Sequence, residues 1–322
     1  MPYHHAAYLP KPAAKQGAFA HQAMTSRSGH IGLLLALAGF ALLSMGDAVI
    51  KSIAGAWPAT AIAALRYLLG ASGLAALLWW QEGKGGFVMP NPAIQLVRGA
   101  SVAVATICFF SAIFLMPLAE ATAITFTSPM ITALLAALVL NERAGRATIL
   151  ATAAAFGGVL LILRPNFAVL GWASLLPLGS AIGMACMMTG NRAVAGRGSA
   201  LLMQFLLAAV AAPVLVLAAI GGHLSGISVL EIPFPDWTII AKICVVAVTA
   251  TCAHFLIYLG TTRASATEIA PMTYVQLLVA MLLGVLVFGD WPDAVSLLGS
   301  AIIIGAGLFL WQHKRAAGRA DI

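Results

Sequence analysis

The sequence predicts an all-α membrane protein with ten transmembrane helices arranged as two inverted five-helix repeats. Three observations lead there. The 322 residues are 61% hydrophobic and only 8% charged, whereas a soluble domain carries about 25% charge. Apolar runs long enough to cross a bilayer recur along almost the whole chain. The chain also matches itself without gaps, residues 119–162 overlaying residues 267–310.

A span needs roughly 20 mostly apolar residues. Such segments fall at about 31–50, 59–80, 97–116, 119–140, 147–163, 168–189, 199–220, 237–259, 265–288 and 294–312. The third and fourth are joined by a tight hairpin at Pro117, and only 81–96 and 221–236 are long connections. This gives a first repeat over 31–163 and a second over 168–312. The polar, mixed segment 1–30 is expected to be a disordered tail without a cleaved signal peptide, and 313–322 a short second tail.

Lys and Arg set the orientation. With the N-terminus cytoplasmic, thirteen of the 17 basic residues fall on the inner side, against Lys51, Arg164 and Lys242 outside and Arg66 within a span. Both termini are therefore expected in the cytoplasm. The net charge of +7 does not indicate nucleic acid, because the basic residues stand singly with no stripe and no interleaved aromatics. The cysteines 108, 186, 244 and 252 lie in apolar runs without a CxxC pair and read as buried structural thiols.

In the self-match Glu120 falls on Glu268, Thr125 on Thr273, Phe126 on Tyr274, Glu142 on Asp290 and Gly157 on Gly305. Leucine matches are cheap in apolar helices, but acid on acid and aromatic on aromatic at one offset are not. Five spans per half is an odd number, so the second half enters the membrane upside down. Inverted repeats are the usual construction of secondary transporters, in which the two halves exchange conformations around a midplane site.

Four stretches carry a family resemblance: ALRYLLGA (64–71), FFSAIFLMPLAEATAITFTSPMITALLAALVLNERAG (109–145), GGVLLILRP (157–165) and ATEIAPMTYVQLLVAMLLGVLVFGD (266–290). With them the chain resembles the EamA-type transporters of the drug/metabolite transporter superfamily over roughly 31–312. The resemblance implies a ten-helix bundle with a central cavity in a bacterial inner membrane. It implies carriage of a small metabolite, more often export, with no cofactor and no ATP-hydrolysing machinery. No G-x-x-x-x-G-K-[ST] loop occurs. The family's substrates include amino acids, nucleotide-like compounds, vitamins such as riboflavin, drugs and S-adenosylmethionine, so uptake of the last or of a riboflavin-like compound stands as the alternative.

Arg66 is the most informative single residue, because a charge inside a span costs roughly 2.5–3.5 kcal/mol on insertion scales unless paired or hydrated. It reads either as a contact for an anionic substrate group or as a structural partner of an acid such as Asp47. Asp47 has Lys51 one turn later, so an i,i+4 pair competes with a proton-linked role. Glu120 and Glu268 begin their helices, where acids are favoured, and are candidate gates. Thr122, Thr125, Ser128 and Thr132 share one helix face and match Thr273 and Gln276; such a polar stripe bonds a neighbouring helix or lines a cavity. Phe110, Phe126, Tyr258 and Tyr274 are candidate flat walls for a ring-bearing substrate, with core packing as the alternative. His254 is a candidate proton relay or a hydrogen-bonded structural residue, and Pro129 and Pro271 are candidate kinks. Ala153-xxx-Gly157 and Ala301-xxx-Gly305 suit close helix contact within the chain or, second, a homodimer. No H-E-x-x-H or G-x-S-x-G motif suggests an intramembrane enzyme.

Overall fold

The computed structural model describes residues 14–139, 146–194, 196–261, 263 and 269–320. Its helices are α1 (Ala14–Lys51), α2 (Ala59–Glu82), α3 (Pro92–Leu115), α4 (Leu118–Thr125), α5 (Ser128–Val139) and α6 (Arg146–Leu170). They continue with α7 (Leu176–Ala193), α8 (Ala200–Leu224), α9 (Trp237–Thr261), α10 (Tyr274–Leu283) and α11 (Ala294–Ala320). Among the described residues nine helical segments are long and apolar enough to cross a membrane, with α4 and α5 together as one of them; Tyr274–Phe288 is a shorter apolar helix.

Two boundaries differ from the sequence reading. α1 begins at Ala14, not near residue 31. The segment 14–29 holds four alanines and two glutamines with no proline, and a helix already nucleated in the span propagates into such residues. The expected fourth span is not one kinked helix. It breaks at Phe126–Thr127, and Pro129 is the second residue of α5. A proline there removes only an N–H that the first turn leaves unpaired, so it begins a helix instead of bending one. Pro271 likewise lies in the 3-10 turn Ala270–Thr273 ahead of α10.

The ends of the bundle are held differently. At one end the α1–α2 turn, the α3–α4 hairpin, the start of α9 and the end of the α10 segment converge. Trp57 Nε1 donates to the Pro233 carbonyl at 3.0 Å, and Lys242 Nζ donates to Ser52 Oγ at 3.1 Å. We call this the Lys51 end. The opposite, Glu82 end carries the α2–α3 loop, where Phe87 packs edge-on against Phe205 of α8 at 5.3 Å. Exposed aromatics collect at both levels, Trp172, Phe234, Trp237 and Trp291 near the Lys51 end and Trp79 and Trp80 near the Glu82 end. Amphipathic rings at two levels are the belts expected at membrane interfaces. Between them the outward helix faces present Leu160, Leu217 and Leu286, each more than half exposed, which suits a lipid solvent.

Helix contacts are α1 with α9 and α10, α3 with α7 and α8, α2 with α8 and α9, α4 with α10, α5 with α7, and α6 with α11. The α6–α11 crossing is made by glycines. A Cβ on Gly158 would stand 2.7 Å from the Gly299 carbonyl oxygen, and one on Gly299 2.7 Å from the Gly158 carbonyl oxygen. Backbone cannot yield as a side chain can, so only glycine permits this approach. The expected contact through Ala153, Gly157, Ala301 and Gly305 is not made: these positions are exposed, and a Cβ on either glycine meets nothing within 4 Å. The close face is one residue further round α6, and on α11 it is at Gly299, two residues before Ala301.

The start of α11 is capped by Asp293, whose Oδ1 accepts the Ser296 N–H at 2.6 Å. The Ser296 side chain and then its backbone N–H hold the Asp293 carboxyl below the usual range. A lowered folded-state value means that this cap contributes fully above the unfolded carboxylate range and is lost as pH falls through the folded value.

Two measurements check this packing. Gly158→Leu is expected to lower the thermal midpoint in detergent through overpacking worth roughly 1–3 kcal/mol, whereas Gly157→Leu leaves it nearly unchanged. Equal effects would mean that the α6–α11 crossing is assigned to the wrong face.

Candidate functional site

A cavity of about 900 Å³ lies among α2, α3, α7, α8 and α9. Its wall runs from Arg66 and His254, deep in the bundle, to Glu82, Arg98, Asn191 and Ser199 at the Glu82 end. Most of the remaining lining is apolar, with Leu74, Leu207 and Phe255 among it. That volume suits a small organic solute.

Arg66 is the eighth residue of α2. Its guanidinium sits 5.4 Å from the Tyr67 ring centroid and 5.5 Å from that of Phe110. These ring faces supply part of the stabilisation that water would give. Phe110 is 2% exposed and packs in the core, while Tyr67 is steered by a 3.1 Å hydrogen bond between its hydroxyl and Thr106. His254 uses Nδ1 on the Ala250 carbonyl at 2.7 Å, so its other nitrogen is left towards the cavity.

Lys51 does not pair with Asp47. Its Nζ bonds Asp290 Oδ2 at 2.5 Å and the Met116 carbonyl at 3.1 Å, and lies 5.0 Å from the Phe288 ring centroid. The local sequence explains Asp290. Residues Gly284–Phe288 form a π-helical turn, Gly289 ends it at φ 70°, and the Asp290 N–H closes back on the Gly284 carbonyl at 2.9 Å. Glycine suits the left-handed position, and the wider turn swings the carboxylate towards α1. One ion pair thus joins α1, the α3–α4 hairpin and the α10 segment across the Lys51 end. Sequence reasoning noted Asp290 only as the repeat mate of Glu142, which lies outside the described residues.

Asp47 instead accepts a hydrogen bond from Gln276 Nε2 at 3.2 Å, tying α1 to α10. Glu120 is 7% exposed and accepts the Ser296 hydroxyl at 2.8 Å, tying α4 to α11. Thr122, Thr125 and Thr132 donate to the carbonyls of Leu118, Ala121 and Ser128 on their own helices, and with Ser128 they stand off the cavity wall. Phe126 and Tyr274 pack edge-on at 5.7 Å where α4 crosses α10. Thr273 immediately precedes α10. Tyr258 lies in α9, but its side chain is outside the description, and Glu268 is outside the described residues. Of the candidate residues, the structure brings Arg66 and His254 to the cavity, keeps Phe110 in the core behind Arg66, and joins Asp47 to Gln276.

Arg98 and Asn191 on the wall were missed as site residues. Arg98 had been counted only as a topology charge, because the expected span began at residue 97; α3 begins at Pro92, which places it six residues into the helix. Nor are the thiols all buried: Cys244 and Cys252 are exposed, and Cys252 lines the cavity. Among the described residues no cluster of three or more His, Cys, Asp or Glu side chains suits a metal ion.

An apolar helical bundle with a solute-sized cavity between its helices has the build of a membrane transporter of small molecules. Residues 30–164 match the EamA-like transporter family. The chain is 28% identical over 225 residues to a riboflavin transporter of Rhizobium johnstonii, covering 69% of this chain and 71% of that protein. It is 25% identical over 238 residues to an S-adenosylmethionine uptake transporter of Rickettsia bellii, covering 74% and 79%. With the pseudopaline exporter CntI of Pseudomonas aeruginosa it shares 28% identity over 285 residues, 88% of this chain and 97% of that one. A solved crystal structure shares its fold with a TM-score of 0.55 at 20% identity, covering 89% and 98%. The chain is thus similar to EamA-like transporters over residues 30–164, and to named small-molecule transporters over most of its length.

Two expectations follow from the contacts. Glu120→Gln keeps the acceptor for Ser296 and is expected to hold the wild-type thermal midpoint. Glu120→Ala strands that buried hydroxyl and is expected to cost about 1–3 kcal/mol. For the ion pair, Lys51→Met should raise the labelling of a cysteine placed at Ala48, on the same helix, by roughly 5–30-fold, as the loss of about 1–2 kcal/mol from a closed state does. The charge swap Lys51→Asp with Asp290→Lys should restore slow labelling.

Proposed function

We propose that this protein is a secondary transporter that moves a small organic metabolite across a bacterial inner membrane by alternating access. The one-sided cavity carries the proposal: it reaches from Arg66 to the Glu82 end, while the Lys51–Asp290 pair ties the other end together. Lys and Arg counts support placing the Glu82 end and both termini in the cytoplasm. On that reading the conformation is the inward-facing one.

The proposal includes two inverted five-helix repeats, with the segment 265–288 as the crossing that completes the ten. The helix contacts support it. Exchanging each helix with its counterpart in the other half turns α1–α9 into α7–α3, α3–α8 into α9–α2, and α1–α10 into α7–α5. With α4 and α5 counted as one span, the contacts of α2 with α8, of that span with α10, and of α6 with α11 map onto themselves. The touching residues Phe126 and Tyr274 are each other's mates in the sequence repeat, which suits a position on a twofold axis. Gly39 of α1 and Gly183 of α7 likewise each face a backbone carbonyl, of Ala253 and Ser101, with a Cβ 2.7 and 2.8 Å away.

In this scheme the Asp47–Gln276 contact and Glu120 loosen as the halves exchange, and proton coupling runs through Asp47 or His254. Export is the direction favoured by the family; the relatives named for uptake support the reverse as the second reading. Purified protein in liposomes tests the scheme. Saturable flux of a labelled solute with counterflow is expected, with riboflavin, S-adenosylmethionine and amino acids as the first set tried. Chemical conversion of a solute that never crosses the membrane would overturn it.

A further inference from the structure

Arg98 carries a guanidinium on the cavity wall, 3% exposed, and among the described residues no carboxylate pairs with it. Its Nε donates to Asn191 Oδ1 at 2.6 Å, and its Nη1 donates to Gln95 Oε1 and lies 3.7 Å from the Met203 sulfur. Gln95 is fully buried and spends its amide N–H on the Pro90 carbonyl at 3.2 Å, so its oxygen is fixed towards Arg98. Two amide oxygens and a thioether hold the arginine in place without neutralising it. Nη2 is the unused arm of the fork. A charge withdrawn from water at this depth is costly unless a counter-charge meets it.

Arg66 is the second such group. The aromatic faces of Tyr67 and Phe110 steady it, and Asp47 acts on it from a distance without forming an ion pair. Arg66 lies sixteen residues before the end of α2, and Arg98 six residues after the start of α3. At 1.5 Å rise per residue they stand about 15 Å apart along the bundle axis. Among the described residues the only carboxylate on the cavity wall is Glu82, exposed at the mouth. With both guanidiniums charged the cavity is positive along its length, and a low-dielectric wall strengthens that field.

We propose that the cavity takes organic solutes bearing an anionic group, a carboxylate or a phosphate, and that Arg98 and Arg66 are successive stations for that group. Arg98 meets it near the mouth with a fork already oriented by Asn191 and Gln95. Arg66 receives it at the deep end, where Tyr67 and Phe255 line an apolar surface for the rest of the solute. This rests on the transport reading but names what that reading leaves open, the charge of the cargo.

Cys252 on the same wall gives a test that needs no knowledge of the cargo. With the other three cysteines replaced by alanine, Cys252 is labelled with the anionic sulfonatoethyl and the cationic trimethylammonioethyl methanethiosulfonates. The anionic reagent is expected to react faster, relative to both rates on free cysteine. Arg98→Gln and Arg66→Gln should each lower the anion-to-cation ratio on the order of tenfold, as the loss of one nearby charge at intermediate dielectric does. Arg98→Lys should keep it, which separates charge from the packing of α3 on α7, and Arg66→Gln tests the idea by itself if Arg98→Gln fails to fold. Equal rates for the two reagents, a ratio unmoved by both glutamine variants, or no labelling of Cys252 would overturn the proposal. Those results would leave saturable flux in liposomes untouched, whereas absence of flux beside a high anion preference would count against transport alone.

Discussion

The ion pair between Lys51 and Asp290 is the constraint on which the shape of the cavity depends. It is made at one end of the bundle, between the last residue of α1 and the turn that ends the α10 segment. Lys51 also bonds the carbonyl of Met116 in the α3–α4 hairpin. Three parts of the chain far apart in sequence are thus gathered on one ammonium. The carboxylate retains a quarter of its side-chain exposure. Such a pair is weaker than a fully buried one and less costly to separate, since both ions can rehydrate. That balance suits a contact that must form and break.

Everything else at that end is consistent with a closed face. Lys242 reaches back to Ser52, Trp57 to the carbonyl of Pro233, and Ser296 to Glu120. At the opposite end the helices diverge enough to leave about 900 Å³ between them. The polar hydroxyls of α4 and α5 play no part in that space. They satisfy carbonyls on their own helices, which is what an apolar solvent requires of a threonine without a neighbour to bond. The glycine crossing of α6 on α11 lies away from the cavity and serves as fixed scaffold.

Legibility in the sequence followed the range of the interaction. The spans were legible because length and hydropathy are local properties that lipid enforces directly. Arg66 was legible for the same reason, as a charge where no charge is cheap, and the structure places it at the deep end of the cavity. Lys51 was misread because i,i+4 proximity is the only partner rule a single helix supplies, and Asp290 is 239 residues away. The glycine contact was misread by one residue on α6 and by two on α11, since an apolar helix carries no polar face to show which side meets a neighbour.

The sequence by itself determined that the chain is helical and membrane-embedded, that residues 119–162 overlay 267–310, and that Arg66 is a charge within a span. Those conclusions need only composition, periodicity and self-comparison. Tertiary structure alone decided that Lys51 meets Asp290, that Asp47 meets Gln276, that Arg98 faces the cavity held by two amides and a thioether, and that the threonine face does not. The physical reason is that each depends on how helices rotate about their axes and against which neighbour. In a bundle whose helices are apolar on nearly every side, packing fixes that rotation and hydropathy does not.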